Sequence, residues 1–417
     1  MGQIDIAQEK HYPELLRPIV LSRAFRFLWI GNSLSIFGSA ITNVMLPLLV
    51  YELTDSPMVM SMIMMAYILP EVLILPISGI IVDRFNRAKI MRTTDLIRFL
   101  LMIGVMMLGL AGRLSISTLV ATVAVMGLMT GLFEPAFSAM RATIFVPAIR
   151  NSANALNQGT QQLLQLLGPA AGGLIVSLAS VSLGFGLDGL TYLISFLCLL
   201  CLTQEGRIAV SGQRRPTSLI SECLEGIRII KRRTWLWVTI LFYSFINICV
   251  SGVILILVPW LVKVHDQFPP YIYGIVMSGS ALGSIGVAFL FGLRRKWNRR
   301  GLLAYGAGIF TGIALLLMPL VDHAALLIAL MVVVGAGNML FGLIWETSLQ
   351  ELVAPEVFGR VASIDMVGSF ALLPVGYLMT GWLAELIGGV ATILSLSGLV
   401  IVAHLLILLV PEIRKYD

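Results

Sequence analysis

Charged side chains are scarce in this sequence. They make up 12% of its 417 residues, which is about half the share found in a typical soluble domain. Hydrophobic residues make up 58% of the chain, and no polar region is long enough to form a sizeable soluble domain. This composition excludes an ordinary soluble enzyme or nucleic-acid-binding protein and indicates a protein that is integral to a membrane.

Cysteine and histidine are also rare, with four of each. Cys198 and Cys201 have the spacing of a redox or metal motif, but they lie in an apolar helical run, where small apolar filler is the simpler interpretation. No histidine is grouped with cysteines or carboxylates at ligand spacing, and the sequence contains no phosphate-binding loop and no nucleophile–base pair. We therefore predict no metal site, no cofactor and no enzymatic activity.

Long apolar segments recur along the whole chain, each long enough to cross a hydrocarbon core of roughly 30 Å. Glycine and proline are frequent inside them, as membrane helices tolerate. We predict an all-α integral membrane fold whose surroundings are the lipid bilayer. Its twelve transmembrane helices are expected at residues 25–50, 57–82, 91–111, 115–143, 153–180, 183–203, 234–262, 271–293, 300–320, 324–347, 361–386 and 389–410.

Basic residues fall almost entirely on one side of this predicted membrane topology. If both termini are cytoplasmic, only Arg113 and Lys263 of the 28 Lys and Arg residues lie outside. This asymmetry satisfies the positive-inside rule. It also explains the net charge of +6 without a nucleic-acid partner, and it predicts a multi-pass protein with both termini in the cytoplasm.

The longest polar stretch divides the spans into two groups of six. Weak internal similarity crosses this divide, because Arg84-Phe-Asn-Arg87 is echoed by Lys296-Trp-Asn-Arg299 about half a chain later. Two pseudo-symmetric six-helix halves are expected, with a substrate path at their interface. The predicted organisation is a cytoplasmic segment at 1–22 without the pattern of a cleaved signal peptide, an N-terminal half at 23–203, a cytoplasmic linker with an amphipathic helix at 204–233, a C-terminal half at 234–411 and a cytoplasmic tail at 412–417.

Polar side chains form stripes at helical spacing inside several spans. Because polar groups that face lipid are costly, these stripes should face protein or a wet cavity. Hydrogen bonding between helices is the alternative to cavity lining. The cavity-lining candidates are Asn32, Ser35, Ser39, Asn43, Thr130, Ser138 and Asn247.

Intramembrane carboxylates are rarer than hydroxyls and amides and point more directly to function. Glu71 in span two and Glu134 in span four are candidates for proton coupling, because a desolvated carboxyl group can take up and release protons near neutral pH. A carboxylate neutralised by a fixed partner is the alternative, with Arg141 as a candidate partner for Glu134.

Five other ionisable groups in the spans have simpler interpretations. Asp95 and Arg98 have the spacing of a local ion pair on one helix. Asp188 is expected to be wet near the outer end of span six, and Asp365 to be favoured by the dipole at the start of span eleven. His404 is expected to be a hydrogen-bonded core residue.

Two motifs carry a resemblance to a known family. The loop between spans two and three holds Gly79, Asp83, Arg84 and Arg87, with Asn86 at a turn position where a left-handed conformation would be tolerable. Span five holds Gly168-Pro169-Ala-Ala-Gly172-Gly173, whose small residues let helices approach closely.

The loop resembles the signature loop of the major facilitator superfamily, and the glycine run is similar to the core of that family's antiporter motif. By this resemblance Asp83 belongs to a cytoplasmic latch, with Arg360 at the start of span eleven as its expected partner. Shorter segments, among them Asp95-Leu-Ile-Arg98 and Pro355-Glu-Val-Phe-Gly359-Arg360, are similar to the bacterial drug–proton antiporter branch that contains macrolide-efflux proteins and the enterobactin exporter.

The resemblance implies a secondary active transporter of a bacterial cytoplasmic membrane. It would export a small, amphipathic, drug-like or macrolide-like molecule by proton antiport with alternating access, and we expect it to act as a monomer. The alternatives are a dedicated exporter of one metabolite, such as a siderophore or a peptide, and a membrane receptor or scaffold that transports nothing.

Overall fold

The computed structural model describes residues 13–146, 149–202, 227–293 and 297–417. Within these ranges the chain is almost entirely helical, as the apolar segments predict. The long helices are α1 (Arg23–Thr54), α2 (Pro57–Arg84), α3 (Arg87–Leu110), α4 (Ile116–Ile144), α5 (Arg150–Leu178), α6 (Val181–Leu200), α7 (Thr234–His265), α8 (Pro270–Gly292), α9 (Arg300–Leu320), α10 (Ala324–Leu352), α11 (Pro355–Phe370 and Leu373–Ile387) and α12 (Gly389–Ile407).

Eleven of the helices in the described ranges are long and apolar enough to cross a membrane. The other long helix, α5, has 29 residues and coincides with the predicted fifth span, but amide side chains make it more polar than the rest. These amides are Asn151, Asn154, Asn157, Gln158, Gln161, Gln162 and Gln165. The all-α transmembrane fold is confirmed. The amide side chains of α5 would be costly in contact with lipid, so this helix is expected to face protein or water.

Local sequence accounts for the helix boundaries. Ser115 and Ser180 precede α4 and α6, and each side chain accepts a hydrogen bond from a backbone N–H of the first turn, as N-cap residues do. The connection between α11 and α12 passes through Gly388 at φ +89°, a left-handed conformation that glycine adopts without the steric penalty of a side chain.

The described residues form two compact units. One contains residues 13–45 and 69–202, and the other contains residues 46–68 and 227–417. In the first unit α3 packs along α6 and α4, and in the second α9 packs in the same way along α12 and α10. The repeated pairing agrees with the internal similarity of the sequence, while the domain boundaries given above stay a prediction. Of the predicted linker helix, only residues 227–233 lie within the described ranges.

The second unit includes the end of α1 and the start of α2, residues 46–68, because they pack on α7 and α11. The Tyr51 hydroxyl is fully buried and donates to the Ile256 carbonyl at 2.6 Å. Ile256 lies in a π-helical turn, Val253–Leu257, just before Pro259. Since proline has no N–H and a π-turn shifts the hydrogen-bond register, Tyr51 supplies a donor where the helix ladder is irregular.

Candidate functional site

The loop between α2 and α3 is fixed by side chains of its own motif. The Asn86 side chain accepts a hydrogen bond from the Lys89 N–H at 3.1 Å and caps α3. Arg87 donates from one guanidinium nitrogen to the Ala139 carbonyl at 3.1 Å and to the Thr143 hydroxyl at 3.0 Å. The second basic residue of the motif therefore ties the loop to the end of α4. Asn86 itself does not use the left-handed conformation that asparagine would tolerate at a turn, because its φ is −65° and its ψ is 117°.

The other loop residues are exposed. Asp83 and Arg84 lie at the surface, and no described atom lies within 4 Å of a Cβ built on Gly79. Arg360 lies in the first turns of α11, and its side chain is outside the described part of the structure. The latch between Asp83 and Arg360 stays a prediction.

The glycine motif of α5 packs directly on α1. A Cβ built on Gly172 would lie 3.0 Å from the Ile41 carbonyl oxygen and 3.2 Å from its Cα, and one on Gly168 would collide with the Ala40 side chain. Gly173 is buried on the same helix, next to the turn that contains Pro169. The expected close approach is present, and its partner is α1 of the same unit.

A buried ion pair lies at the centre of the first unit. Asp95 is 0% exposed and Arg98 is 5% exposed, and their side chains are 3.7 Å apart. Ser195 of α6 donates to the Asp95 carboxylate at 2.6 Å, and Arg98 donates to the Thr130 hydroxyl of α4 at 3.1 Å. The local pair predicted from the spacing is confirmed, and it also links α3 to α4 and α6.

The Arg98 guanidinium is enclosed by aromatic rings as well. Its central carbon lies 4.9 Å from the ring centre of Phe133 and 5.5 Å from that of Tyr192. Both distances are within the range of cation–π attraction. Arg98 is therefore a fixed positive charge inside the helix bundle.

A second buried carboxylate extends this network toward α1. Asp188 is 0% exposed, and the Thr42 hydroxyl donates to it at 2.6 Å. The expectation that Asp188 is wet was wrong. A Cβ on Gly38 would collide with Asp188 and Thr191, so the small residue lets α6 bring its carboxylate against α1.

The two proton-coupling candidates lie beside Arg98. A Cβ built on Gly131 of α4 would lie 2.9 Å from the Glu71 carbonyl oxygen, so α2 and α4 meet there. Glu134 follows Gly131 by three residues and therefore shares its helix face. Glu71 and Glu134 are within electrostatic range of each other and of Arg98. We call Glu71, Glu134 and the Arg98 guanidinium the α2–α4 carboxylate pair with Arg98.

Arg141 is within electrostatic range of Glu134 but forms no ion pair with it within 4.0 Å. Its guanidinium lies over the rings of Phe137 and Phe145, at 5.9 and 5.8 Å from their centres. Glu134 is exposed and, among the described residues, has no ion pair within 4.0 Å. The Glu134 side chain is therefore not enclosed by the packing of the first unit.

Some of the polar side chains predicted to line a cavity are hydrogen-bonded or buried in the helix packing, and others are accessible. Ser39 hydrogen-bonds to the Tyr192 hydroxyl at 2.8 Å, and Thr130 accepts from Arg98, so both join helices within the first unit. Asn32 and Ser35 are buried, whereas Asn43 and Ser138 are exposed and Asn247 of the second unit is half-buried. Sequence spacing alone gave no sign of the pairing of Thr42 with Asp188 or of Ser195 with Asp95.

The second unit has aromatic packing in place of this charged network. The His404 ring is hydrogen-bonded to the Val400 carbonyl at 2.8 Å and packs against Tyr243, Phe242 and Tyr305, which confirms its role as a core residue. Asp365 lies in the third turn of α11, beyond the first turn where the helix dipole acts. It accepts instead from the Trp345 indole N–H at 3.0 Å, so the dipole interpretation was wrong.

Two other kinds of functional site are a metal centre and a ligand cavity. Among the described residues, no set of three or more His, Cys, Asp or Glu side chains could hold a metal ion. A cavity of about 540 Å³ between α3, α5 and α6 is lined by apolar side chains, among them Ile103, Met106, Leu174 and Leu190.

A family model described as Major Facilitator Superfamily matches residues 28–372. The chain belongs to the major facilitator superfamily. Macrolide efflux protein A of Streptococcus pyogenes is 23% identical over 398 residues, covering 94% of this chain and 97% of the relative. The multidrug efflux pump Tap of Mycolicibacterium fortuitum is 23% identical over 389 residues, covering 91% of this chain and 94% of the relative.

Solved structures agree with this assignment. A peptide transporter POT in complex with sulfate has a TM-score of 0.75 at 14% identity and covers 95% of this chain and 96% of its own. The nucleoside transporter NupG has a TM-score of 0.72 at 13% identity, with coverage of 94% and 100%. At these identities the structures show the fold alone. This member of the major facilitator superfamily is a non-enzymatic membrane transporter whose relatives are efflux pumps.

Proposed function

We propose that this protein exports a small, amphipathic, drug-like or macrolide-like molecule across a bacterial cytoplasmic membrane in exchange for protons. The observation that carries the proposal is the placement of Glu71 and Glu134 on facing helices beside Arg98. Intramembrane carboxylates are costly and mark ion pathways. The names of the efflux-pump relatives support the direction and the kind of substrate.

In this mechanism protonation of the N-terminal unit and binding of the substrate exclude each other. When Glu71 and Glu134 are both ionised, they repel each other and attract Arg98. Protonation of either carboxyl removes that repulsion and leaves Arg98 with one counter-charge fewer. The change alters the hydrogen bonds that link α3 to α4 and α6, so it can bias the two conformations of an alternating-access cycle.

The two sequence motifs have separate roles in the proposed cycle. Asp83 would hold the cytoplasmic ends of the helices closed by pairing with Arg360, while Arg87 keeps the loop on α4. Gly79 and Arg84 belong to the same latch. The α5 motif of Gly168, Pro169, Gly172 and Gly173 would keep α5 and α1 packed as one body through the cycle.

Substrate would contact polar side chains that remain accessible. Asn43, Ser138 and Asn247 are exposed or half-buried, and Asn32, Ser35, Ser39 and Thr130 lie on the same stripes of α1 and α4. We place both termini in the cytoplasm from the distribution of basic residues, and we expect one chain to carry out the whole cycle as a monomer.

Reconstituted protein tests the proposal. Liposomes with an acidic interior should accumulate a macrolide or an amphipathic dye through inside-out protein only while the pH gradient lasts. Glu134→Gln and Glu71→Gln should remove this uptake, whereas Glu52→Gln, an exposed carboxylate at the outer end of α1, should retain it. Uptake that is equal with and without the gradient would contradict proton antiport.

A further inference from the structure

The exposed face of α6 is entirely aliphatic. Its residues recur at intervals of three and four, which places them on one side of the helix. They are Leu183, Leu187, Leu190, Ile194, Leu197 and Leu200. A face that lined a polar transport path would carry polar side chains. This side of α6 is therefore the one that meets lipid.

The apolar cavity of about 540 Å³ between α3, α5 and α6 opens on this face, and we call it the α3–α5–α6 groove. It is lined on α6 by Leu183, Leu187 and Leu190 and on α5 by Leu174 and Leu178. All five are exposed, and Leu178 is 84% exposed, so the groove is open to the bilayer. Because its walls come from three helices, it offers a hydrocarbon chain contacts on several sides, which a flat helix surface does not.

The groove lies within one leaflet of the bilayer. It begins at the helix ends, because α3 ends at Leu110 and α6 begins at Val181. The distribution of basic residues predicts that these ends are on the outer side. From Leu183 to Leu190 helix α6 rises by about 10 Å, against about 15 Å for half of the hydrocarbon core. These dimensions suit an acyl chain that enters from the outer headgroup region.

A basic residue is fixed at the outer mouth of the groove. A Cβ built on Gly109 would collide with the Ser182 hydroxyl, so the end of α3 lies against the start of α6. The chain then turns through Gly112 at φ +65°. The Arg113 N–H donates to the Leu108 carbonyl at 2.9 Å, a bond that closes the helix as a Schellman cap does. The Arg113 side chain is exposed, and no described carboxylate lies within 4.0 Å of it.

We propose that the α3–α5–α6 groove and Arg113 bind one anionic phospholipid of the outer leaflet. One acyl chain lies in the groove, and the Arg113 guanidinium pairs with the phosphate, whose geometry it matches. Of the two basic residues predicted to lie outside, Arg113 is the one in the first unit and Lys263 is the one in the second. The inference goes beyond the proposed function, since neither the carboxylate pair with Arg98 nor the latch contributes to the lipid site.

Native mass spectrometry of the purified protein in detergent tests the site, because it resolves each bound lipid. The probes are phosphatidylglycerol and phosphatidylcholine with identical acyl chains, so that they differ only in headgroup and net charge. The parent should bind one phosphatidylglycerol more tightly than phosphatidylcholine. Arg113→Gln should weaken the first phosphatidylglycerol about fivefold, the factor that one basic residue at an anionic membrane surface is worth. It should leave phosphatidylcholine unchanged, and Arg113→Lys should retain most of the preference.

The groove has its own variant, because Leu187→Trp adds a ring to its wall. This change should weaken both lipids, since both use the groove for an acyl chain. Leu100→Trp is the matched control, on a residue of α3 that is exposed and does not line the groove. Lys263→Gln is the matched control for charge. Both controls should bind the two lipids as the parent does. If Leu187→Trp fails to fold, Leu174→Trp takes its place with the same expectation.

Equal affinity of the parent for the two lipids would overturn the site. So would phosphatidylglycerol affinity that is the same in Arg113→Gln and Lys263→Gln, or lipid affinity that is the same in Leu187→Trp and Leu100→Trp. A second copy of the chain that dissociates in Leu187→Trp would show that the groove is a dimer contact and would also overturn the site. These outcomes are separate from the fate of the proposed function, because lipid binding is measured without transport.

Discussion

The buried pair of Asp95 and Arg98 allows a quantitative test of the charged network. Replacing Arg98 by Met leaves the Asp95 carboxylate, which is 0% exposed, with the Ser195 hydroxyl as its one remaining partner among the described residues. Breaking a buried ion pair from one side destabilises by about 3–5 kcal/mol, because the remaining charge stays desolvated. The same change also removes the donation to Thr130. We therefore expect Arg98→Met to lower the free energy of unfolding by about 3–5 kcal/mol.

The reverse change should be milder. In Asp95→Asn the amide can still accept from Ser195, and Arg98 keeps Thr130, the rings of Phe133 and Tyr192 and the field of the two glutamates. A loss of about 1.5–3 kcal/mol is expected, the range for a hydrogen bond to a charged group. The double variant should be destabilised by less than the sum of the two, with a coupling of at least about 1 kcal/mol.

Unfolding in mixed micelles of detergent and denaturant, followed by tryptophan fluorescence, gives the four free energies of this cycle. Arg84→Met is the matched control, because Arg84 is exposed in the loop, and it should change stability by less than about 0.5 kcal/mol. Strictly additive single and double variants would refute the argument that the two charges stabilise each other.

Three further predictions concern stability. Gly172→Leu should lower the free energy of unfolding by about 1–3 kcal/mol through overpacking against α1, whereas Gly159→Leu on the same helix, with open space around its Cβ, should not; equal thermal melts of the two would contradict the packing argument. Arg87→Gln should lower the melting temperature through loss of its two bonds to α4, and Arg84→Gln should leave it unchanged. Burial raises the pKa of the Asp266 carboxyl, and the neighbouring imidazole lowers it by less. Ionised Asp266 therefore destabilises the fold as pH rises above the unfolded pKa of about 3.9. Asp266→Asn should have a higher melting temperature than the parent at pH 7 and the same melting temperature at pH 3, and an equal difference at both pH values would refute the raised pKa.

Much of the fold is predictable because hydrocarbon imposes a single requirement on every span. Length and apolarity locate the helices, and spacing locates contacts within one helix, such as Asp95 with Arg98. Small residues four apart on α5 predict a close helix–helix approach, which Gly168 and Gly172 make. These inferences depend on local geometry, which the sequence specifies directly.

Contacts between distant helices were harder to predict. Nearly every face of an apolar span is hydrophobic, so hydropathy does not give the rotation of α6 that turns Asp188 toward Thr42. The same holds for Trp345 and Asp365, which meet only because α10 and α11 cross. Asn86 caps α3, as asparagine directly before a helix often does, and it does so without the left-handed conformation that asparagine tolerates.

The most direct test of the account is the simultaneous measurement of substrate and proton movement in proteoliposomes. With no pH gradient imposed, an imposed substrate gradient should drive protons in the opposite direction, reported by a trapped pH dye, and Glu134→Gln should abolish the proton signal while Glu52→Gln retains it. Substrate movement without any change in internal pH, or a proton signal that Glu134→Gln leaves intact, would contradict the assignment of the carboxylate pair as the coupling site.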